Sequence, residues 1–152
     1  MDQDRRVVVG VDGSMASLAA LRWAGREAGL RQARLHVVCV LHPDRERAAP
    51  YAGHAQRPAV GAEDELVPAA WLKALVHTVL GRSPQAPVDT EVIDGLAAKV
   101  LIDQAAGADL LVIGDPATSQ LEVIGPVARA CLRHAPCPVV VVSADMSRPV
   151  PA

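Results

Sequence analysis

The chain has 152 residues, which is the size of one domain, with 51% hydrophobic and 21% charged side chains. Its net charge is -2 and only 2% of its residues are aromatic, so it lacks the basic surface and stacking platforms of a general nucleic-acid binder. No apolar run reaches the roughly 18 residues of a membrane span. We therefore expect one domain over 1–152 that binds neither nucleic acid nor a membrane.

The three cysteines, Cys39, Cys131 and Cys137, form no paired framework. This odd count, with an N-terminus unlike a secretion signal, predicts a reducing, cytoplasmic location. There is no CxxC pair and the five histidines do not cluster, so we predict no metal site. The thiols are expected to be buried or at a strand edge, where they act as small hydrophobic side chains.

The first elements in chain order form a strand–helix–strand unit. Residues 5–11 are a short β-branched apolar run that ends at an Asp-Gly-Ser turn. Ser14 is a suitable N-cap for an amphipathic helix, and Gly29 is placed to end it. Residues 35–41 predict the second strand. The Pro- and Gly-rich stretch 43–64 predicts a mobile connection without a long regular element.

The remaining elements continue the alternation. Pro68 suits the first turn of the second helix, which Gly81 ends. The later elements are predicted at 88–93 (strand), 97–106 (helix), 110–113 (strand), a helix opened by Gly125-Pro126, and 139–142 (strand). The core then covers about 5–143, and the tail 144–152 is expected to fray.

Five strands that alternate with four helices predict an α/β domain, a doubly wound five-stranded parallel sheet with helices on both faces. In such folds a ligand binds outside the carboxyl ends of the strands. Those ends are marked here by Asp12, Val40 and Gly114.

Three segments resemble the universal stress protein family. They are VGVDGS at 9–14 with ALRWA at 20–24, ADLLVIG at 108–114, and RHAPCPVVVV at 133–142. The resemblance covers about residues 5–143. It implies strand order 3-2-1-4-5 and a homodimer joined through the last strand, which consists of Val139, Val140, Val141 and Val142.

In the nucleotide-binding branch of this family, the resemblance implies an adenosine site at the positions of Asp12 and Val40. It also implies a phosphate loop, G-x2-G-x9-G-(S/T), after the fourth strand. Gly114 and Gly125 match the first and third glycines of that loop, but their spacing is two residues short. The second glycine is replaced by Ala117.

Each departure weakens this loop as a phosphate site. Pro126 stands where the family has Ser or Thr, so a hydroxyl and a backbone donor are both absent at the start of the helix. Ala117 resists the positive φ that glycine allows. The only charged residues between the two glycines are Asp115 and Glu122, which would repel a triphosphate unless a divalent cation intervened. We predict weak or no ATP binding and no cofactor, with ATP or AMP plus Mg²⁺ as the alternative.

The site residues also have structural interpretations. Asp12 is either an adenine contact or a turn residue that bonds its own backbone, and Val40 is either an adenosine wall or core. Gly114 is needed in either case, because the chain is expected to turn sharply there. Ser14, Ser17, Thr118 and Ser119 have no histidine near them in sequence, so we predict that the protein is not an enzyme.

Two functions remain open from the sequence. One is a stress-associated regulatory or interaction dimer that does not depend on ATP, and the other is a nucleotide-dependent switch with an altered loop. No Lys, Arg, Asp or Glu lies between Pro138 and Ala144, so an edge strand there would be unprotected and would invite pairing with a second copy. A tail that covers this edge within a monomer is the alternative.

Overall fold

The computed structural model of the protein describes residues 5–41, 66–115 and 124–144. Its elements in chain order are β1 (Arg6–Gly10), α1 (Met15–Arg31), β2 (Arg34–Leu41), α2 (Leu66–Leu80), β3 (Val88–Asp94), α3 (Ala97–Gln104), β4 (Leu110–Asp115), α4 (Pro126–His134) and β5 (Val139–Ser143). All the predicted strands and helices are present. The predicted mobile connection over 43–64 and the tail from 145 lie outside the described residues.

The five strands form one parallel sheet in the order β3-β2-β1-β4-β5, which confirms the doubly wound α/β fold. β1 lies at the centre, where Val8 is in register with His36 of β2 on one side and Leu111 of β4 on the other. The chain leaves β1 in one direction towards β3 and resumes on the other side at β4. In doubly wound sheets such a reversal is where a ligand crevice forms, here at the carboxyl ends of β1 and β4.

Two hydrophobic clusters lie on the two faces of the sheet. Val7 and Val9 of β1 pack with α1 and α2 on one face, while Val8 packs with α3 and α4 on the other. All three valines are fully buried. The continuous apolar character of the central strands therefore reflects burial on both faces, as expected for a parallel sheet.

Helix α1 begins as the sequence predicts but ends later. The Ser14 hydroxyl caps it by accepting a hydrogen bond from the backbone N–H of Ser17, at 3.2 Å. The prediction that Gly29 ends the helix is wrong, because α1 continues to Arg31 and ends with Gln32 at φ 55°. A Cβ on Gly29 would lie 2.7 Å from the Cβ of Gln85, so close packing explains this glycine.

Other predicted boundaries also differ from the structure, by one or two residues. Helix α3 ends at Gln104 instead of 106, and the chain turns towards β4 through Gly107 at φ +77°. β5 runs one residue further than predicted, to Ser143. Gly81 follows α2 with φ +82°, as predicted for a helix terminator.

Candidate functional site

The candidate site is the crevice at the carboxyl end of the sheet. Asp12 follows β1, Asp115 is the last residue of β4, and Gly125 precedes α4. Because parallel strands end at the same edge, the fold brings these three positions to one side of the molecule. The predicted site residues Asp12, Val40, Gly114 and Gly125 all belong to this end.

The turn between β1 and α1 satisfies its own hydrogen bonds. Asp12 Oδ1 accepts from the backbone N–H of Ser14 at 2.8 Å, which is the turn interaction considered for this residue. The Ser17 hydroxyl accepts from the N–H groups of Asp12 and Gly13, at 3.3 and 3.1 Å, and donates to the carbonyl of Ser14 at 2.9 Å. The exposed carboxylate of Asp12 is thus the polar group that this turn presents to solvent.

Val40 lies near the end of β2, in register with Ile93 of β3. Both side chains are half-buried and pack against the cluster beneath α3 and α4. The structure therefore gives Val40 the role of a core residue at the edge of the crevice.

Gly114 does not occupy a turn, so the predicted reason for this glycine is wrong. It lies within β4, in register with Val142, and the strand continues to Asp115. A Cβ on Gly114 would lie 2.4 Å from the carbonyl carbon and oxygen of Ala16 and 2.6 Å from the nitrogen of Ser17. Glycine is required here because the first turn of α1 packs directly on β4.

Asp115 has a role that the sequence did not indicate. Its side chain is only 4% exposed, and Oδ2 accepts a hydrogen bond from the backbone N–H of Gly125 at 3.1 Å. Gly125 is the N-cap of α4, and Pro126 follows at the first helical position without an N–H. A carboxylate of the protein therefore sits at the positive end of the α4 dipole, where helices bind anions.

The model of the universal stress protein family matches residues 4–143. The chain belongs to the universal stress protein family. Universal stress protein Rv2623 of Mycobacterium tuberculosis is 31% identical over 140 residues, covering 90% of this chain but 46% of the relative. This universal stress protein thus spans about half the length of the curated relatives it matches.

Solved universal stress proteins share the fold. UspA from Lactobacillus plantarum aligns with a TM-score of 0.66 at 25% identity, covering 92% of this chain and 98% of that one. A universal stress protein in complex with cAMP aligns with a TM-score of 0.60 at 22% identity, covering 92% and 97%.

The phosphate loop that the family resemblance implies falls largely outside the described residues, including Ala117. Helix α4 follows the C-terminal end of this loop. Its N-cap, Gly125, makes no side-chain capping bond, and Pro126 lies in its first turn, as the sequence predicted. Three exposed apolar side chains lie in segments that follow the carboxyl ends of strands: Met15 at the start of α1, Leu96 before α3 and Ile124 before α4. The exposed carboxylate of Asp12 lies at the same end of the sheet.

The cysteines are placed as structural residues. Cys39 and Cys131 are buried and Cys137 is half-buried. Burial raises the pKa of Cys131 to about 11, and burial together with the negative charge of Asp109 raises that of Cys137. In the described ranges, no three His, Cys, Asp or Glu side chains are grouped as metal ligands would be, and none of the helices is long and apolar enough to span a membrane.

Proposed function

We propose that this universal stress protein acts in the cytoplasm as a homodimeric regulatory or interaction protein of the stress response. It is not an enzyme in this proposal, and it binds ATP weakly or not at all. The observation that carries the proposal is the Asp115 carboxylate at the start of α4.

A phosphate group at the start of α4 would compete with this carboxylate. The N–H of Gly125 already donates to Asp115, and Pro126 has no N–H to donate. The bound phosphate would also lie beside a buried negative charge. Two lost hydrogen bonds to a charged group, at about 1.5–3 kcal/mol each, would weaken binding by two decades or more.

The serine hydroxyls at the crevice support a non-catalytic role. Ser14 caps α1 and Ser17 closes the preceding turn, so both hydroxyls serve local structure. Among the described residues, neither is hydrogen-bonded to a histidine that could act as a general base. The Nε2 atom of His36 on β2 lies 2.9 Å from Oε2 of Glu91 on β3.

A nucleotide-dependent switch is the second candidate function. A universal stress protein with the same fold is known in complex with cAMP, which carries one phosphate instead of three. The exposed carboxylate of Asp12, with the exposed apolar side chains of Met15 and Ile124 at the same end of the sheet, favours a ligand with a base or sugar there. In this alternative, Asp12, Val40, Gly114 and Gly125 would surround AMP, or ATP with Mg²⁺.

Calorimetry with MgATP, ADP, AMP and cAMP tests the proposal, preceded by mass spectrometry of small molecules that co-purify with the protein. We expect no sub-micromolar affinity for MgATP. Asp115→Asn keeps a side-chain acceptor for Gly125 but removes the charge, so it should raise MgATP affinity about tenfold. Sub-micromolar binding by the wild type would contradict the proposal and support the switch.

The matched control is Asp109→Asn. Asp109 lies just before the opposite end of β4, where its carboxylate accepts from the N–H of Arg6 at 3.1 Å. This substitution removes the same charge far from the crevice, so we expect nucleotide affinity to stay unchanged.

The outer edge of β5 supports the homodimer. In the described part of the chain β5 pairs with β4 only, and its four valines face no second strand. Val139, Val140 and Val141 are only half-buried, whereas Val142 is 1% exposed. Antiparallel pairing of two copies about a two-fold axis would satisfy the open backbone groups and cover the exposed valines.

A further inference from the structure

A cavity of about 560 Å³ lies between α1, the last turn of α2 and the loop 83–86 that leads into β3. Ala19 and Gly25 of α1 also line it, and Leu80 packs against Gly25, with its Cδ2 2.8 Å from where a Cβ would lie. Pockets that bind small molecules have volumes of about 300–1,000 Å³. The cavity is therefore large enough for a ligand, and it lies beside the loop before β3, with Val142 of β5 also in its wall.

The cavity wall has an apolar part and a polar part. Trp23, Val79 and Leu80 are partly buried hydrophobic side chains. Ser83 and Gln85 add a hydroxyl and an amide at the opening. A few polar groups around an apolar wall are typical of sites that fix one end of a ligand and bury the other.

Two arginines one helical turn apart complete the wall. Arg22 and Arg26 both line the cavity, and among the described residues neither is joined to a carboxylate. On the same helix, by contrast, Arg31 is paired with Glu27 at 2.8 Å. Guanidinium groups donate several hydrogen bonds in a planar fork, which suits carboxylate, sulfonate and phosphate groups.

The charge around the cavity has the opposite sign to that of the whole chain. Across 15–32 and 66–87, the sequence has five Lys or Arg residues and one acidic residue, Glu27. The net charge of the chain is -2. This face of the protein therefore attracts anions.

We propose that this cavity is a second binding site, which takes a small molecule with one acid group on an apolar, preferably aromatic, body. Arg22 and Arg26 bind the acid group. Trp23, Val79 and Leu80 cover the apolar body. The site is independent of the crevice at the carboxyl end and of whether nucleotide binds there.

A pair of probes with and without charge tests this site on the full chain. In an NMR titration of ¹⁵N-labelled protein, 2-naphthoate should shift the Trp23 indole N–H and the backbone amides of Ser83 and Gln85 to saturation. Because 2-naphthamide lacks the negative charge, its affinity should be lower than that of 2-naphthoate by about tenfold or more.

Variants on the exposed face of α1 provide the second measurement. The double variant Arg22→Gln/Arg26→Gln should lose about tenfold or more in affinity for 2-naphthoate. Arg31→Gln removes one positive charge from the same helix outside the cavity, so its affinity should match the wild type. Glutamine keeps the helix propensity close to that of arginine, so α1 should remain folded.

Several results would overturn the proposal. One is that the two probes bind with equal affinity, and another is that the double variant binds 2-naphthoate as tightly as the wild type does. Chemical-shift changes confined to the amides of Asp12 and Gly125 would also contradict it, as would the absence of a saturable shift at millimolar probe. Displacement of 2-naphthoate by AMP, with AMP itself shifting the amides of Asp12 and Gly125, would show a single shared site. Shifts caused by an acidic peptide but not by 2-naphthoate would show a protein-docking face instead.

Discussion

Gly114 is constrained by atoms that cannot rotate away. The backbone of Ala16 and Ser17 lies within 2.4–2.6 Å of the position that a Cβ would take. In Gly114→Ala, α1 or β4 must therefore shift as a unit. We expect the free energy of unfolding to fall by about 3 kcal/mol, measured by urea denaturation.

Gly10→Ala is the matched control in the neighbouring strand. Its Cβ would lie 3.0 Å from Leu101 Cδ1 and Cδ2, which are the ends of a flexible side chain. We expect a smaller loss, about 1 kcal/mol, because Leu101 can adjust. Similar losses in the two variants would contradict the argument about backbone contact.

Cys131 should make stability depend on alkaline pH. Burial raises its pKa in the folded protein to about 11 from an ordinary value of 9.0, so between these values the unfolded chain loses a proton that the folded protein keeps. Stability then falls as pH rises from 9 to 11, by up to about 3 kcal/mol at 1.36 kcal/mol per pKa unit. Urea denaturation at several pH values measures this slope.

Cys131→Ala isolates this effect from other groups that titrate in the same range. The variant has no thiol, so its stability should fall less steeply above pH 9, even if the smaller side chain lowers stability at every pH. Parallel pH profiles of the variant and the wild type would show that Cys131 does not contribute.

At the scale of one element, α1 depends on its N-cap. Ser14 accepts from the N–H of Ser17 at 3.2 Å, and alanine cannot replace this bond. We expect Ser14→Ala to lower the free energy of unfolding by about 1 kcal/mol in urea denaturation.

Ser83→Ala makes the same chemical change at an exposed position before β3. Its effect should stay within about 0.5 kcal/mol. If Ser83→Ala cost as much as Ser14→Ala, the loss would reflect the general effect of removing a hydroxyl and not the cap.

The start of α1 was predictable and its end was not. Ser14 caps a helix through a contact three residues away, so the signal is local in the sequence. Gly29 lies in the helix because its packing against Gln85 forbids a Cβ, and no local pattern reports a contact with a distant residue. Gly81 ends a helix through its own positive φ, which is a local property. Gly114 is required by its contact with α1, a distant element.

At the scale of the whole molecule, the open edge of β5 predicts a dimer. We expect Val141→Lys to shift the protein towards a 15.9 kDa species in sedimentation equilibrium at micromolar concentration, because a charge would be buried at the paired edge. A wild-type protein that is already monomeric would contradict the dimer.

Thr90→Lys tests whether any edge lysine has this effect. Thr90 lies on β3, the opposite edge of the same sheet, and is half-buried as Val141 is. We expect the oligomeric state of this variant to match that of the wild type. Dissociation in Thr90→Lys but not in Val141→Lys would place the interface on β3.

The sequence by itself determined the class of fold and the number and order of its elements, because hydrophobic periodicity, caps and turn residues act within a few residues. It also predicted the end of the sheet at which a ligand would bind, since the ends of buried parallel strands meet at one edge. Strand order came with the family resemblance and was confirmed by the sheet. Only the tertiary structure decided that Gly114 underlies α1 and that Asp115 occupies the start of α4. Both depend on contacts between β4 and the start of a helix, which a linear pattern does not record.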